Sequence, residues 1–114
     1  MTYRVTFSAD AERDFELVFE FILESYIDFG ETAATAIDRA EERVQAIHAD
    51  IEGLASAPHR GTLHDGILPG LRHVTLGRAI VWFDILEENN EVRILAVFFG
   101  GQDHIRRMLV RMLG

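Results

Sequence analysis

Histidine side chains are the groups in this chain best suited to proton transfer near neutral pH. His64 is followed directly by Asp65, and His59 and His73 stand nearby along the chain. A histidine beside a carboxylate can form a general base together with the group that orients it. Adjacent residues rarely face each other, however, so catalysis by these histidines is the less favoured interpretation.

No other pattern in the sequence predicts a reactive centre. The chain contains no cysteine, which excludes a thiolate nucleophile and a cysteine-based zinc site. The histidines and Asp65 follow no recognised metal-ligand spacing, and the serines and threonines occur in no nucleophile-elbow motif. Gly100 and Gly101 lack the further glycines and the lysine of a phosphate-binding loop. We therefore expect neither a metal nor a cofactor.

The charge balance argues against a protein that works by holding nucleic acid. The 114 residues include 19 acidic and 11 basic side chains, which gives a formal net charge of -8. A polyanion would be repelled by the field of such a molecule. We expect no direct binding of nucleic acid.

The absence of cysteine is compatible with a reducing cytosol. The chain begins with alternating residues and shows no charged-then-apolar signal peptide. No apolar run approaches the ~18 residues that a membrane-spanning helix needs. We therefore expect no contact with a membrane.

The first half of the chain predicts a strand and a helical hairpin. Tyr3 to Ser8 alternates like a strand, and Ser8 can cap the helix that follows. A turn around Gly30 separates that helix from the next. The apolar stripe of the first helix is Phe15, Val18, Phe19, Ile22, Tyr26 and Phe29, and a smaller second face is Leu17 and Phe21. The seam of the second helix is Ala33, Ile37, Ala40, Val44, Ile47, Ile51 and Leu54.

The second half predicts three further strands and a closing helix. After an irregular segment over 56–70, strands are indicated over 71–76, 78–86 and 92–99, and a helix from Gln102 to Met112. Trp82 and Phe83 are expected in the core of the central strand. The fold class is therefore α+β, in the order β-α-α-β-β-β-α, with a helical hairpin packed on a mostly antiparallel four-stranded sheet. We expect one domain over residues 1–114.

Six short motifs, in this order and spacing, resemble those of the RelE/ParE toxin superfamily of bacterial toxin–antitoxin systems. They are Ala11-Glu-Arg-Asp14, Leu68-Pro-Gly-Leu-Arg72, Leu76-Gly-Arg78, Ile80-Val-Trp-Phe83, Val92-Arg-Ile-Leu95 and Phe99-Gly-Gly-Gln-Asp103. The likeness covers nearly the whole chain and is greatest to the ParE branch. It implies a RelE/ParE-like fold and a cytoplasmic toxin of a plasmid-stabilisation type, neutralised by a ParD-like antitoxin in a hetero-oligomer.

The resemblance leaves two mechanisms open, because fold alone does not determine function. RelE-like members cut mRNA on the ribosome with basic residues and a His, Glu or Tyr. ParE-like members poison DNA gyrase by binding. Where ribonuclease relatives commonly place His or Tyr, this chain has Phe98 and Phe99, and it has no lysine. His104 is expected on the surface of the last helix. We therefore expect a non-catalytic gyrase inhibitor; the alternative is a RelE-type ribosome-dependent mRNA endoribonuclease that uses Arg72, Arg78 and His64.

Partner contacts are expected on the second face of the first helix, in the irregular segment, on the sheet and on the last helix. The candidates are Leu17, Phe21, Arg60, His64, Arg72, Arg78, Arg106 and Arg107. Antitoxins of this class lay a helix or an extended segment along the toxin, which is a helix-in-groove or strand-addition mode.

Overall fold

The computed structural model describes residues 2–100 and 103–114. Its strands are β1 (Arg4–Phe7), β2 (Thr62–Leu63), β3 (Arg72–Leu76), β4 (Ala79–Leu86) and β5 (Glu91–Phe99). Its helices are α1 (Ala9–Asp28), α2 (Ala33–Glu52) and α3 (His104–Leu113), with short 3-10 turns at Gly53–Ala55 and Glu87–Asn89. The expected helix start at Gln102 and the second glycine of the Gly100-Gly101 pair lie outside the described residues.

The strands form one mixed sheet in the order β1-β5-β4-β3-β2. The β1 strand lies parallel to β5, and the other neighbours are antiparallel. The α+β class and the helical hairpin are confirmed, but the strand count of four is wrong because the sheet has five strands. The additional strand, β2, pairs Thr62 with His73 and Leu63 with Arg72. Two residues are too few to show the alternation by which a strand is recognised in a sequence.

Side-chain caps and a glycine turn define the helical hairpin. The Ser8 hydroxyl accepts a hydrogen bond from the Ala11 amide at 3.1 Å, which caps α1 as expected. Thr32 caps α2 in the same way through the Thr35 amide at 3.2 Å. Gly30 has φ +99°, the left-handed conformation that ends α1 at low cost.

The apolar seam of the hairpin is correct in the middle and wrong near the turn that joins the two helices. Most of the predicted stripe is buried or half-buried, but Phe29 is 89% exposed because α1 ends at Asp28 and Phe29 is its C-cap. At the start of α2, Ala36 is buried, whereas Ala33 and Ile37 are exposed. Leu54 is buried in the 3-10 turn that follows α2. The ends differ because helix termini, unlike helix centres, follow cap geometry as well as the apolar period.

The sheet buries apolar side chains on both faces. The hairpin covers the face that carries Val81 and Phe83, and α3 covers the face that carries Ile80 and Trp82. Trp82 and Phe83 are both fully buried, so their assignment to the core is confirmed. Alternation along β4 explains this arrangement, because successive side chains of a strand point to opposite faces.

The β5 strand is longer than its neighbour β1, so its later part is a sheet edge. Pairing with β1 ends where Phe7 meets Ile94. Beyond that point, side chains form hydrogen bonds with the backbone of β5. The Val97 amide donates to Asp14 Oδ2 at 2.9 Å, and Arg111 Nη1 donates to the Leu95 carbonyl at 3.3 Å. The helices α1 and α3 therefore meet over this edge. None of the helices in the described chain is long and apolar enough to cross a membrane.

Candidate functional site

The sheet separates the arginines of the predicted ribonuclease site from its histidine. Arg72 lies across the ladder from Phe83, so its side chain is on the face covered by the hairpin. Arg78 is in the turn before β4, and its guanidinium lies 5.4 Å from the ring centroid of Phe99, which packs on the same face. His64 packs instead against Trp82 on the α3 face, with ring centroids 4.8 Å apart.

His64 belongs to a cluster of three histidines around Trp82. Its Nε2 lies 2.6 Å from Nδ1 of His73, and the two rings stack with centroids 4.8 Å apart. The His73 ring is 4.7 Å from that of His104. Trp82 packs against all three histidines, since its ring centroid also lies 5.0 Å from that of His73 and 5.5 Å from that of His104. We call His64, His73, His104 and Trp82 the histidine cluster.

His73 and His104 favour the uncharged imidazole. Burial lowers the pKa of His73, and the nearby His104 and His64 lower it further because each additional positive charge would be repelled. The pKa of His104 is lowered by burial and then by His64. Two buried nitrogens of the cluster, Trp82 Nε1 and His104 Nδ1, have no hydrogen-bond partner among the described residues.

The expectation that His104 is an ordinary surface residue is wrong. It is the first residue of α3 and is half-buried, because the start of that helix packs against the sheet. The sequence could have predicted one contact of the cluster, the one between His73 and Trp82. A two-residue turn at Gly77 and Arg78 places His73 directly opposite Trp82, as the register shows. His104 offered no such signal, because its position depends on where the last helix docks.

Two grooves border the side chains of Phe21 and Phe99. These rings lie 5.8 Å apart, and both belong to the lining of each groove. The first groove, of about 270 Å³, is lined by Asp14, Leu17, Val18, Phe21, Val97, Phe99 and Arg107. The second, of about 160 Å³, is lined by Phe21, Ile22, Ser25, Tyr26, Phe29, Arg43, Arg78 and Phe99. Together they are called the Phe21 grooves.

The Phe21 grooves expose apolar carbon beside arginines. Leu17 and Phe21 are 54% and 55% exposed. Arg43 and Arg78 lie over the Phe99 ring at 5.8 and 5.4 Å, and Arg107 lies over the Phe98 ring at 4.2 Å. Within residues 2–100 and 103–114, none of these arginines forms an ion pair.

The other predicted contacts are dispersed. Arg106 is exposed on α3 and lines an open groove of about 820 Å³ together with Arg107 and Arg111. Arg60 is exposed before β2 and is not part of the lining of these grooves. The structure thus brings Leu17, Phe21, Arg78 and Arg107 to one surface and leaves Arg60, Arg72 and His64 elsewhere. In the described residues no group of histidines and carboxylates is arranged to hold a metal ion.

Comparison with known proteins rests on structure, since no family model and no curated protein sequence matches the chain. A chain of the chromosomal ParDE toxin–antitoxin system from P. aeruginosa superimposes with a TM-score of 0.63 at 18% identity, covering 86% of this chain and 96% of that one. A chain of the RelBE2 toxin–antitoxin complex from Mycobacterium tuberculosis gives a TM-score of 0.51 at 20% identity, covering 87% and 99%. The chain has the RelE/ParE toxin fold. In this chain the hairpin side of the sheet carries Arg72, Arg78 and exposed apolar carbon, and the α3 side carries the histidine cluster.

Proposed function

We propose that the chain, as one domain, is the toxin of a type II toxin–antitoxin pair and that it inhibits its target by binding. Support comes from the RelE/ParE fold and above all from the separation of Arg72 and Arg78 from the histidine cluster. Cleavage of RNA requires a base, an acid and a cation at one phosphate. In this structure Arg72 and Arg78 lie on the hairpin side of the sheet and His64 on the α3 side, so they do not converge on one phosphate.

We further propose DNA gyrase, in the cytoplasm, as the target. The net charge of -8 supports a protein target over the phosphate-rich ribosome, because the field of the molecule opposes approach to a polyanion. Phe98 is one of two phenylalanines in the region where the resemblance implies a His or Tyr in ribonuclease relatives. Its ring is buried beneath Arg107 and Arg111 and is part of the packing of α3.

The Phe21 grooves are the surface on which we place a ParD-like antitoxin. The exposed carbon at Leu17 and Phe21 can pack against apolar side chains of a partner. The guanidinium groups of Arg43, Arg78 and Arg107 can pair with carboxylates of the same partner. An amphipathic segment with acidic residues meets both requirements in a helix-in-groove mode. Burying such a surface is favourable by about 25 cal/mol per Å² of apolar area, which gives a hetero-oligomer its driving force.

The test is induction of the chain with and without the protein encoded by the neighbouring reading frame. We expect growth arrest, accumulation of gyrase–DNA cleavage complexes and a DNA-damage response, all suppressed by that protein. Purified chain should reduce supercoiling by gyrase in vitro. Unchanged supercoiling together with new mRNA ends would exclude the gyrase proposal, and unaffected growth would exclude a toxin.

A second candidate, a ribosome-dependent mRNA endoribonuclease, is favoured by one observation. His64 and His73, 2.6 Å apart, form a pair of ring nitrogens between which a proton can pass. This reading predicts transcript cleavage during translation that is lost in His73→Gln and retained in His59→Gln. The gyrase proposal predicts that neither variant changes the pattern of transcripts.

A further inference from the structure

The histidine cluster connects three separate parts of the chain at one tryptophan. His64 comes from the segment between β2 and β3, His73 from β3 and His104 from the start of α3. Trp82, the only tryptophan of the chain, lies beneath all of them on β4. Any change that drives these imidazoles apart must therefore loosen the loop, the helix or both from the sheet.

The contact between His64 and His73 depends on their protonation. A neutral imidazole has one donor nitrogen and one acceptor nitrogen, whereas a protonated imidazole has only donors. The 2.6 Å contact between His64 Nε2 and His73 Nδ1 can be a hydrogen bond when at least one ring is neutral and presents its acceptor nitrogen to the other. With both rings protonated, two N–H groups and two positive charges would face each other at that distance.

The neighbouring ionisable groups do not neutralise the cluster. In the loop, Asp65 accepts a hydrogen bond from the Gly70 amide at 2.8 Å. On the sheet, Asp84 accepts two hydrogen bonds from Arg93, at 3.0 and 2.6 Å. The short strand β2 contributes only Thr62 and Leu63. The remaining charged groups on β3 and on the first turns of α3 are Arg72, Asp103, Arg106 and Arg107. In the described structure no carboxylate bonds to a ring of the cluster.

We propose that His64, His73 and His104 form a proton-operated latch, which holds the loop and the start of α3 on Trp82 when neutral and releases them when more than one ring is protonated. The latch goes beyond the proposed function and does not depend on it. Because α3 carries Arg107 of the Phe21 grooves, release would also alter that surface.

The direction of the pH effect follows from burial and mutual repulsion. The pKa values of His73 and His104 are lowered in the closed state from the ordinary 6.5. Closure is therefore fully favoured above pH 6.5 and is lost as the pH falls through the lowered values. Each unit of pKa that separates the open and closed states changes the closing equilibrium about tenfold.

The fluorescence of Trp82 provides the measurement, because its emission wavelength depends on whether the indole ring is buried or hydrated. We expect the fluorescence of the full chain to be constant from pH 8 to 7 and to shift to longer wavelength below pH 6.5 as Trp82 becomes hydrated. His73→Gln should abolish this transition, and His104→Gln should weaken it, because the His64–His73 pair remains. His48→Gln and His59→Gln are matched controls, since these histidines lie beside Glu52 and Glu87, and both should retain it.

Hydrogen exchange and a second variant, His73→Phe, provide a further test if His73→Gln folds poorly. Protection factors of the amides of 104–113, which correct for the slower intrinsic exchange at low pH, should fall at pH 5.5 in the wild-type chain but not in His73→Phe, which keeps the ring contact without a titratable group. Far-UV circular dichroism at pH 7.5 checks that each variant is folded. The latch is refuted if the wild-type emission and the α3 exchange pattern stay unchanged while histidine NMR signals titrate, or if His73→Phe opens at the same pH.

Discussion

Arg111 donates to both carboxylate oxygens of Asp14, at 2.7 and 2.8 Å, across 97 positions of the chain. The Asp14 side chain is 4% exposed and also accepts the Val97 amide, so one carboxylate joins α1, β5 and α3. Such bidentate pairs are the strong form of charge-assisted hydrogen bond. In this chain the pair closes the sheet edge that β1 leaves uncovered.

Removing the carboxylate should destabilise the fold severely. In Asp14→Ala we expect the free energy of unfolding to fall by about 3 kcal/mol, because a buried pair broken on one side leaves an uncompensated charge. Urea denaturation followed by circular dichroism gives the value. Glu16→Ala, an exposed change on the same helix, should stay within about 0.5 kcal/mol of the wild type. A loss at Asp14 as small as that at Glu16 would show that the pair contributes little.

Two glycines of the long loop should respond differently to alanine. A Cβ at Gly61 would lie 2.1 Å from the His73 carbonyl oxygen, and the residue has φ +82°, whereas a Cβ at Gly66 would meet open space. We expect Gly61→Ala to lower the free energy of unfolding by about 2 kcal/mol through backbone strain and displacement of β2. Thermal unfolding of both variants provides the comparison. Equal melting temperatures would contradict the close approach of Gly61 to β3.

The Phe21 grooves give a prediction for the proposed antitoxin. Phe21→Glu should weaken antitoxin binding more than about tenfold, because a buried apolar anchor contributes at least ~1.4 kcal/mol. In cells the antitoxin should then fail to restore growth. The control is Leu63→Glu, since Leu63 is 44% exposed on β2 and is not part of these grooves. Calorimetry with purified proteins measures both; equal affinities would place the antitoxin on another surface.

A titration can test the contacts that join β1 to the 3-10 turn after β4. His59 Nε2 and the Tyr3 hydroxyl each lie 2.8 Å from an oxygen of Glu87. Hydrogen bonds from His59 and then Tyr3 lower the pKa of Glu87 below its ordinary 4.5. The contacts therefore stabilise the fold above pH 4.5 and are lost as the pH falls through the lowered value. Carbon-detected NMR should show the Glu87 pKa rising in Tyr3→Phe; an unchanged value would mean that Tyr3 does not bond to Glu87.

Local patterns were sufficient for much of the fold. The Ser8 cap, the Gly30 turn, the buried middle of the hairpin seam and the buried central strand all follow from residues close together in the chain. Helix and strand periods and turn chemistry act over a few residues, so they can be read without the tertiary structure. The same reasoning failed at Phe29 and β2, where cap geometry and a two-residue strand leave too short a pattern.

The sequence by itself determined which side chains were available: eleven arginines, no lysine, five histidines and a single tryptophan. Only the tertiary structure decided which of them meet. Arg72 and His64 are close in the chain but lie on opposite faces of the sheet, while Asp14 and Arg111 come together from opposite ends. The physical reason is that side chains alternate across a sheet, and that distant contacts depend on how α3 docks, which no local pattern specifies.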